Sequence, residues 1–237
     1  MSVSTNGVVR MQRGTAEAVS SGTGSGAVAK GAGSTAVAIG DHNKARATGT
    51  DATASATGGT HDTAVATGTN TVAGANSGDY NTAKAIGDNS MAIAGGLAQS
   101  YPSGGNHLTA TVTGDNSTAV ATAGDYNTAT VTGDNSTAIA GSTGREFPGN
   151  NNHDTATVTG DNSTAVADAG NNNTAVVNGD GSKARAGFGD NNIAGVVGND
   201  SQALAGGGDS NAAIVDGDGL HASAIGGDNQ TVVVTAP

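Results

Sequence analysis

A Gly- or Asn-led unit returns along almost the whole chain without losing phase. Read from Gly31, units start at Gly40, Gly49, Gly59, Gly68, Gly78 and Gly87, and again from Gly105 through Gly114, Gly124 and Gly133. From Asn151 they continue through Gly160, Gly170, Gly179, Gly189, Gly198, Gly208, Gly217 and Gly227. From Gly40 the steps are nine and ten residues in turn, and only Gly87 to Gly105 and Gly133 to Asn151 are longer, each by eight. After both the alternation resumes in phase, which identifies 97–104 and 143–150 as loop insertions. A disordered Gly/Ser/Thr/Asn tract has no reason to keep phase, whereas a solenoid with two unequal sides requires it, because each turn stacks on the last. The expected fold is all-β: a single flattened parallel β-solenoid over 31–237, with two strands per 19-residue turn and about ten turns, on the order of 48 Å long at the interstrand spacing.

The interior of each unit agrees. Gly114-Asp-Asn-Ser-Thr-Ala-Val-Ala-Thr-Ala123 is a Gly/Asx turn followed by a strand of period two. Counted from the leading residue, position six is Ala at Ala119, Ala129, Ala138, Ala156 and Ala165, a column that must face inward. Position eight is Ala on ten-residue sides (Ala121, Ala140, Ala167) and Val on later nine-residue sides (Val131, Val158, Val177), so small faces larger across a thin core. Position four carries Ser117, Ser136, Ser163, Ser182 and Ser201 on one side and Asn127, Asn173, Asn192 and Asn211 on the other. Such columns should form internal polar ladders, each side chain bonding its copies above and below.

Composition fits a thin core and little else: 40 Gly in 237 residues and 2% aromatics leave no large side chains for a conventional one. There is no Cys, hence no disulfide and no thiol chemistry. A net charge of −11 repels phosphate backbones, so nucleic acid is not an expected partner. Met1 to Ser21 lacks an apolar signal-type region and no run reaches membrane-span length, so neither a classical export signal nor membrane insertion is expected. Residues 1–30 fit the register poorly and are expected to be an N-terminal cap, attachment segment or tail. Thr231-Val-Val-Val-Thr235 ends in full strand character, an edge open to another chain.

The wording of Gly33-Ser-Thr-Ala-Val-Ala-Ile-Gly40, Ala85-Ile-Gly-Asp-Asn-Ser-Met-Ala-Ile-Ala94 and Ala224-Ile-Gly226 resembles the head repeats of trimeric autotransporter adhesins. The resemblance implies a surface-exposed β-roll used in adhesion. It covers about Gly31 to Gly226, with a longer turn than that family's and with no anchor barrel or coiled-coil stalk.

Residues 19 apart become neighbours, so chemistry is sought in columns. Position three of the nine-residue sides reads His42, His61, Tyr80, His107, Tyr126 and His153, then Asn172, Asn191, Ser210 and Asn229. Both insertions enter just before this turn and each supplies an aromatic followed by Pro, Tyr101-Pro102 and Phe147-Pro148. Phe188 falls on the same edge. One reading is stacked rings that cover a thin core. The other is a recognition edge of Tyr101, Tyr126, Phe147, His107 and His153 that meets a glycan or a protein surface. His42 and His61 lack a third ligand nearby, so no metal and no cofactor are expected.

Thr109, Thr111 and Thr113, Thr128, Thr130 and Thr132, and Thr155, Thr157 and Thr159 fall on three consecutive turns with Ala and Val pointing inward between them. At these residues the chain resembles the Thr-x-Thr surfaces of β-solenoid ice-binding proteins, which gives an alternative function. The other face carries an outward column of Ile93, Val120, Ile139 and Val166, a candidate homo-oligomer interface, as is the C-terminal edge. Asp88, Asp115, Asp134, Asp161 and Asp180 form a column expected to cap turn amides or to share cations. No catalytic constellation is present: Glu17 and Glu146 are the only Glu, and no nucleophile or phosphate-loop motif occurs. The expected function is a non-enzymatic structural or adhesive rod of cell-surface or phage-tail type, on an extracellular surface or virion.

Overall fold

The computed structural model describes residues 1–96, 105–141 and 151–236. It is all-β, a parallel β-solenoid of about 11 turns of about 19 residues. Two compact units divide it, Met1–Ser117 and Thr118–Pro237.

In the first unit the strands are β1 (Ser2–Thr5), β2 (Val8–Gln12), β3 (Glu17–Ser21), β4 (Gly26–Lys30), β5 (Thr35–Ile39) and β6 (Lys44–Thr48). They continue as β7 (Thr53–Thr57), β8 (Thr63–Thr67), β9 (Val72–Asn76), β10 (Thr82–Ile86), β11 (Met91–Ala94) and β12 (Thr109–Thr113). Even-numbered strands from β4 to β12 pair in one parallel sheet, and odd-numbered strands from β3 to β11 in the other. The second unit holds β13 (Thr118–Ala121), β14 (Thr128–Thr132), β15 (Thr137–Ala140), β16 (Thr155–Thr159), β17 (Thr164–Asp168) and β18 (Thr174–Asn178). It ends with β19 (Lys183–Gly187), β20 (Ile193–Val197), β21 (Gln202–Gly206), β22 (Ala212–Asp216), β23 (His221–Ile225) and β24 (Thr231–Thr235), split between two sheets in the same way.

Register confirms the column reading. Ala119 pairs with Ala138 and Ala138 with Ala165, and all three are fully buried. Opposite them Val131, Val158, Val177, Val196 and Val215 are at most 1% exposed. The eight extra residues leave pairing intact on both sides: Thr82 lies against Thr109 and Thr128 against Thr155.

The turn is not uniform, and this alters the reading of the first thirty residues. Glu17 pairs with Thr35, Gly26 with Lys44 and Thr35 with Thr53, steps of 18, whereas from Lys44 to Thr63 the step is 19. Strands β3 and β4 therefore already belong to the parallel ladders, one residue out of the later phase. Only β1 and β2 stand apart. They form an antiparallel hairpin whose β1 adds antiparallel to β4, covering that end of the first unit's sheet. Leading glycines are held by close approach as well as by backbone angle. At Gly160 φ is +134°, and a Cβ there would meet the carbonyl oxygen of Gly179 at 2.3 Å.

The internal ladders exist, but they run from side chain to main chain rather than between copies. Ser163 Oγ donates to the Gly179 carbonyl at 2.7 Å and accepts the Ser182 N–H at 3.1 Å. Asn173 Oδ1 accepts the Asn192 N–H at 3.0 Å, and Asn192 Oδ1 the Asn211 N–H at 2.9 Å. Each rung thereby satisfies an amide of the next, which a purely side-chain ladder would leave bare.

Candidate functional site: a ring-bearing edge and two surface arrays

The turns that lead into the even-numbered strands carry the rings. In the first unit His42 stacks on His61 at 4.7 Å between centroids, His61 on Tyr80 at 4.8 Å and Tyr80 on His107 at 5.0 Å, with interplanar angles of 5°, 11° and 13°. In the second, Tyr126 stacks on His153 at 5.0 Å and 11°. Tyr80 and Tyr126 remain half exposed. Stacking occupies the ring faces, so what these rings offer a partner is their rims: phenol hydroxyls and imidazole nitrogens in single file. Parallel imidazoles 4.7 Å apart do not converge on one ion held about 2.0–2.1 Å from each nitrogen. Among the described residues no group of three potential metal-ligating side chains occurs.

Every ring in the column sits in the left-handed backbone region: φ is 61° at His42, 61° at Tyr80, 63° at Tyr126 and 62° at His153. The same turn adopts the same backbone with Asn172 at 58°, Asn191 at 60° and Asn229 at 56°. Asn and His tolerate this region well, whereas Tyr pays about 1–2 kcal/mol. A stacked pair returns about 0.5–1.5 kcal/mol. For Tyr80 and Tyr126 the two nearly cancel, so these rings give the fold no clear advantage over Asn at their turns.

Of the expected binding residues, Tyr126 and His153 are brought together and His107 lies in the first unit's stack. Tyr101 and Phe147 lie outside the described residues. Phe188, also at a positive φ of 58°, holds the Arg185 guanidinium 4.4 Å from its ring centroid, and Arg185 pairs with Asp168 at 3.1 Å. Arg185 and Phe188, with Leu204, Ala205, Ile225 and three glycines, line a shallow groove of about 370 Å³.

In the second unit the Thr array is in register: Thr128 lies against Thr155, Thr130 against Thr157 and Thr132 against Thr159. The next strand keeps only Thr174, followed outward by Val176 and Asn178. Thr109, Thr111 and Thr113 form the matching row on β12 in the first unit, against Thr82, Lys84 and Ile86. On the odd-numbered strands Val120, Ile139 and Val166 align and are half buried, while Ile93 in the first unit is only 5% exposed and offers little to another chain. Strand β24 presents Val233, which is 59% exposed.

The Asp column caps amides, as the spacing suggests. Asp161 Oδ1 accepts the Asp134 N–H at 2.7 Å and Asp180 Oδ1 the Asp161 N–H at 2.8 Å. The opposite turn does the same, with Asp79 Oδ1 accepting the Thr60 N–H at 2.8 Å.

Two carboxyls escaped the sequence reading. Asp62 and Asp154 occupy position four of their units, inside the Asn column, and are fully buried. Burial pushes the Asp62 carboxyl from its ordinary value of 3.8 up to about 7, opposed by the hydrogen bond from the Asn81 N–H and assisted by Asp79. Burial raises Asp154 likewise to about 7, opposed first by the Asn173 N–H and assisted by Asp168 and Asp190. The signal was available in the sequence: column four reads Asn43, Asp62, Asn81 in one stretch and Asn127, Asp154, Asn173 in the other.

Compared with protein-family models, curated proteins and solved structures, the chain matches none. Among the described residues no helix is long and apolar enough to cross a membrane.

Proposed function

We propose that the chain is a non-enzymatic structural or adhesive solenoid, of cell-surface or phage-tail type, that binds a partner along the ring-bearing edge. The observation that carries this is the exchange of rings for Asn at one backbone geometry: Tyr126 at φ 63° and Asn191 at φ 60° serve the same turn. A Tyr ring at such a position needs a reason outside the fold. Because stacking covers the faces, the row of hydroxyls and imidazole nitrogens, interleaved with Asp and Asn side chains of the same turns, suits a hydroxyl-rich partner such as a glycan better than an apolar surface. A protein surface with matching polar groups is the other partner of this reading.

The test replaces the edge by the protein's own alternative. A variant with His42→Asn, His61→Asn, Tyr80→Asn, His107→Asn, Tyr126→Asn and His153→Asn keeps the backbone preference and removes the stacked rings. On a glycan array the parent should bind a defined set of glycans and the variant should lose at least about tenfold in affinity, about 1.4 kcal/mol. Equal binding by parent and variant would remove the edge from consideration.

The in-register Thr128/Thr155, Thr130/Thr157 and Thr132/Thr159 pairs favour a second reading, binding to ice through a flat hydroxyl and methyl array. Thermal hysteresis measured on the parent protein separates the two.

A further inference from the structure

The Asn column shows what its slot requires. Asn43 Oδ1 accepts the N–H of the next turn, at Asp62, while its Nδ2 donates to the Ile39 carbonyl at 2.7 Å and the Gly59 carbonyl at 3.0 Å. Asn127 repeats this: Oδ1 accepts the Asp154 N–H, and Nδ2 donates to the Thr122 and Asn151 carbonyls at 3.0 and 2.6 Å. The slot therefore offers one N–H to an acceptor and surrounds a donor with backbone carbonyls.

Asp62 and Asp154 fill the acceptor half correctly. Asp62 Oδ1 accepts the Asn81 N–H and Asp154 Oδ1 the Asn173 N–H, both at 2.8 Å. At Asp62 the Oδ2 atom takes the donor half. A Cβ built on Gly59 would lie 3.1 Å from Asp62 Oδ2, just as one on Gly170 would lie 3.0 Å from Asn173 Nδ2. Both Oδ2 atoms are buried and have no hydrogen-bond partner, Asn81 Nδ2 and Asn192 Nδ2 are likewise without an acceptor, and of the two carboxyls only Asp154 has a neighbouring side chain, Asn173, that favours its ionised form. An ionised carboxylate would aim a lone pair and a negative charge at carbonyl oxygens. A protonated one supplies the O–H that the slot lacks.

We propose that Asp62 and Asp154 are carried as neutral carboxylic acids that act as amide surrogates in the Asn column, so that proton loss loosens their two turns. Among the described residues no Lys or Arg is left to hold either carboxyl in its ionised form. Asp62 is flanked by Asp41 and His42 on the turn before, His61 on its own and Asp79 and Tyr80 on the turn after; β7 and β9 across the core bear no titratable group, and Lys44 and Lys84 point outward. Asp154 has Asp125, Tyr126 and His153 beside it, Asp168 on β17 and Asp190 beyond, with Arg185 engaged by Asp168 and Lys183 outward. The sign follows. The unfolded carboxyls ionise near pH 4 and the folded ones near 7, so the stability the carboxyls give is complete below about pH 4 and is lost as the pH rises to about 7.

The experiment compares the full chain with the double variant Asp62→Asn, Asp154→Asn. The two should melt together at about pH 4, and the variant should melt several degrees higher at about pH 8, where the parent has lost both protons. Infrared spectra of the parent at about pH 5.5 should keep a carboxylic-acid carbonyl band, absent from the variant, when exposed carboxylates are already ionised. A variant that gains nothing at the higher pH, that fails to fold, or a parent without the acid band overturns the proposal.

Discussion

Asn127 Oδ1 accepts the N–H of Asp154 at 2.9 Å although 27 positions separate them, eight more than in an uninterrupted turn. The interior ladder thus crosses the second insertion unbroken, and the stacking geometry belongs to the repeat rather than to chain distance.

Replacing Asn127 by Ala strips an acceptor from the Asp154 N–H and a donor from three carbonyls in a fully buried site. The expected loss is about 2–4 kcal/mol in urea unfolding, with the buried unpaired groups as its main source. Loss below about 0.5 kcal/mol would mean that the ladder contributes no net stability.

Ala138 has no room to grow, packed between Ala119 and Ala165 at full burial. Ala138→Leu should destabilise by at least about 1–3 kcal/mol through overpacking. An unchanged melting temperature would contradict a close-packed alanine column.

Removing 97–104 and 143–150 together restores the 19-residue step from Thr82 and from Thr128. The shortened protein should fold with the parent's circular-dichroism spectrum and lose partner binding on the glycan array, because Tyr101 and Phe147 leave with the deleted residues. Retained binding would assign recognition to the stacked rings alone, and failure to fold would make the segments structural.

Thr130→Lys places a charge in the middle of the second unit's Thr rows. If the array binds ice, thermal hysteresis should vanish while circular dichroism stays the same. Equal hysteresis in both proteins excludes the array, and none in the parent excludes the function.

Period, inward columns, insertions and the Asp caps could all be read from the sequence, because stacking turns one spacing into every contact. Three things could not. The turns near Glu17 and Gly26 are 18 residues long, and a one-residue slip hides them from a search for 19. The ring column and its stacking were open to a sequence reading, but not the positive φ that its turn imposes at Tyr80 and His107. Asp62 and Asp154 look like ordinary Asx exchanges until the carbonyls that receive Asn43 Nδ2 and Asn127 Nδ2, and the partnerless Oδ2 atoms, show that the column favours a donor.

The two Asx systems run in opposite senses. Inside, an earlier residue accepts from a later one, as Asn173 does from Asn192. Outside, an earlier residue donates to a later one, as Asp161 does to Asp180. A finished turn therefore leaves both a waiting acceptor within and a waiting donor without, and the turn made next by the ribosome answers both. Synthesis from the N-terminus meets a template at each step, so a nascent chain can be laid down turn by turn, and a turn arriving out of register forfeits both bonds at once.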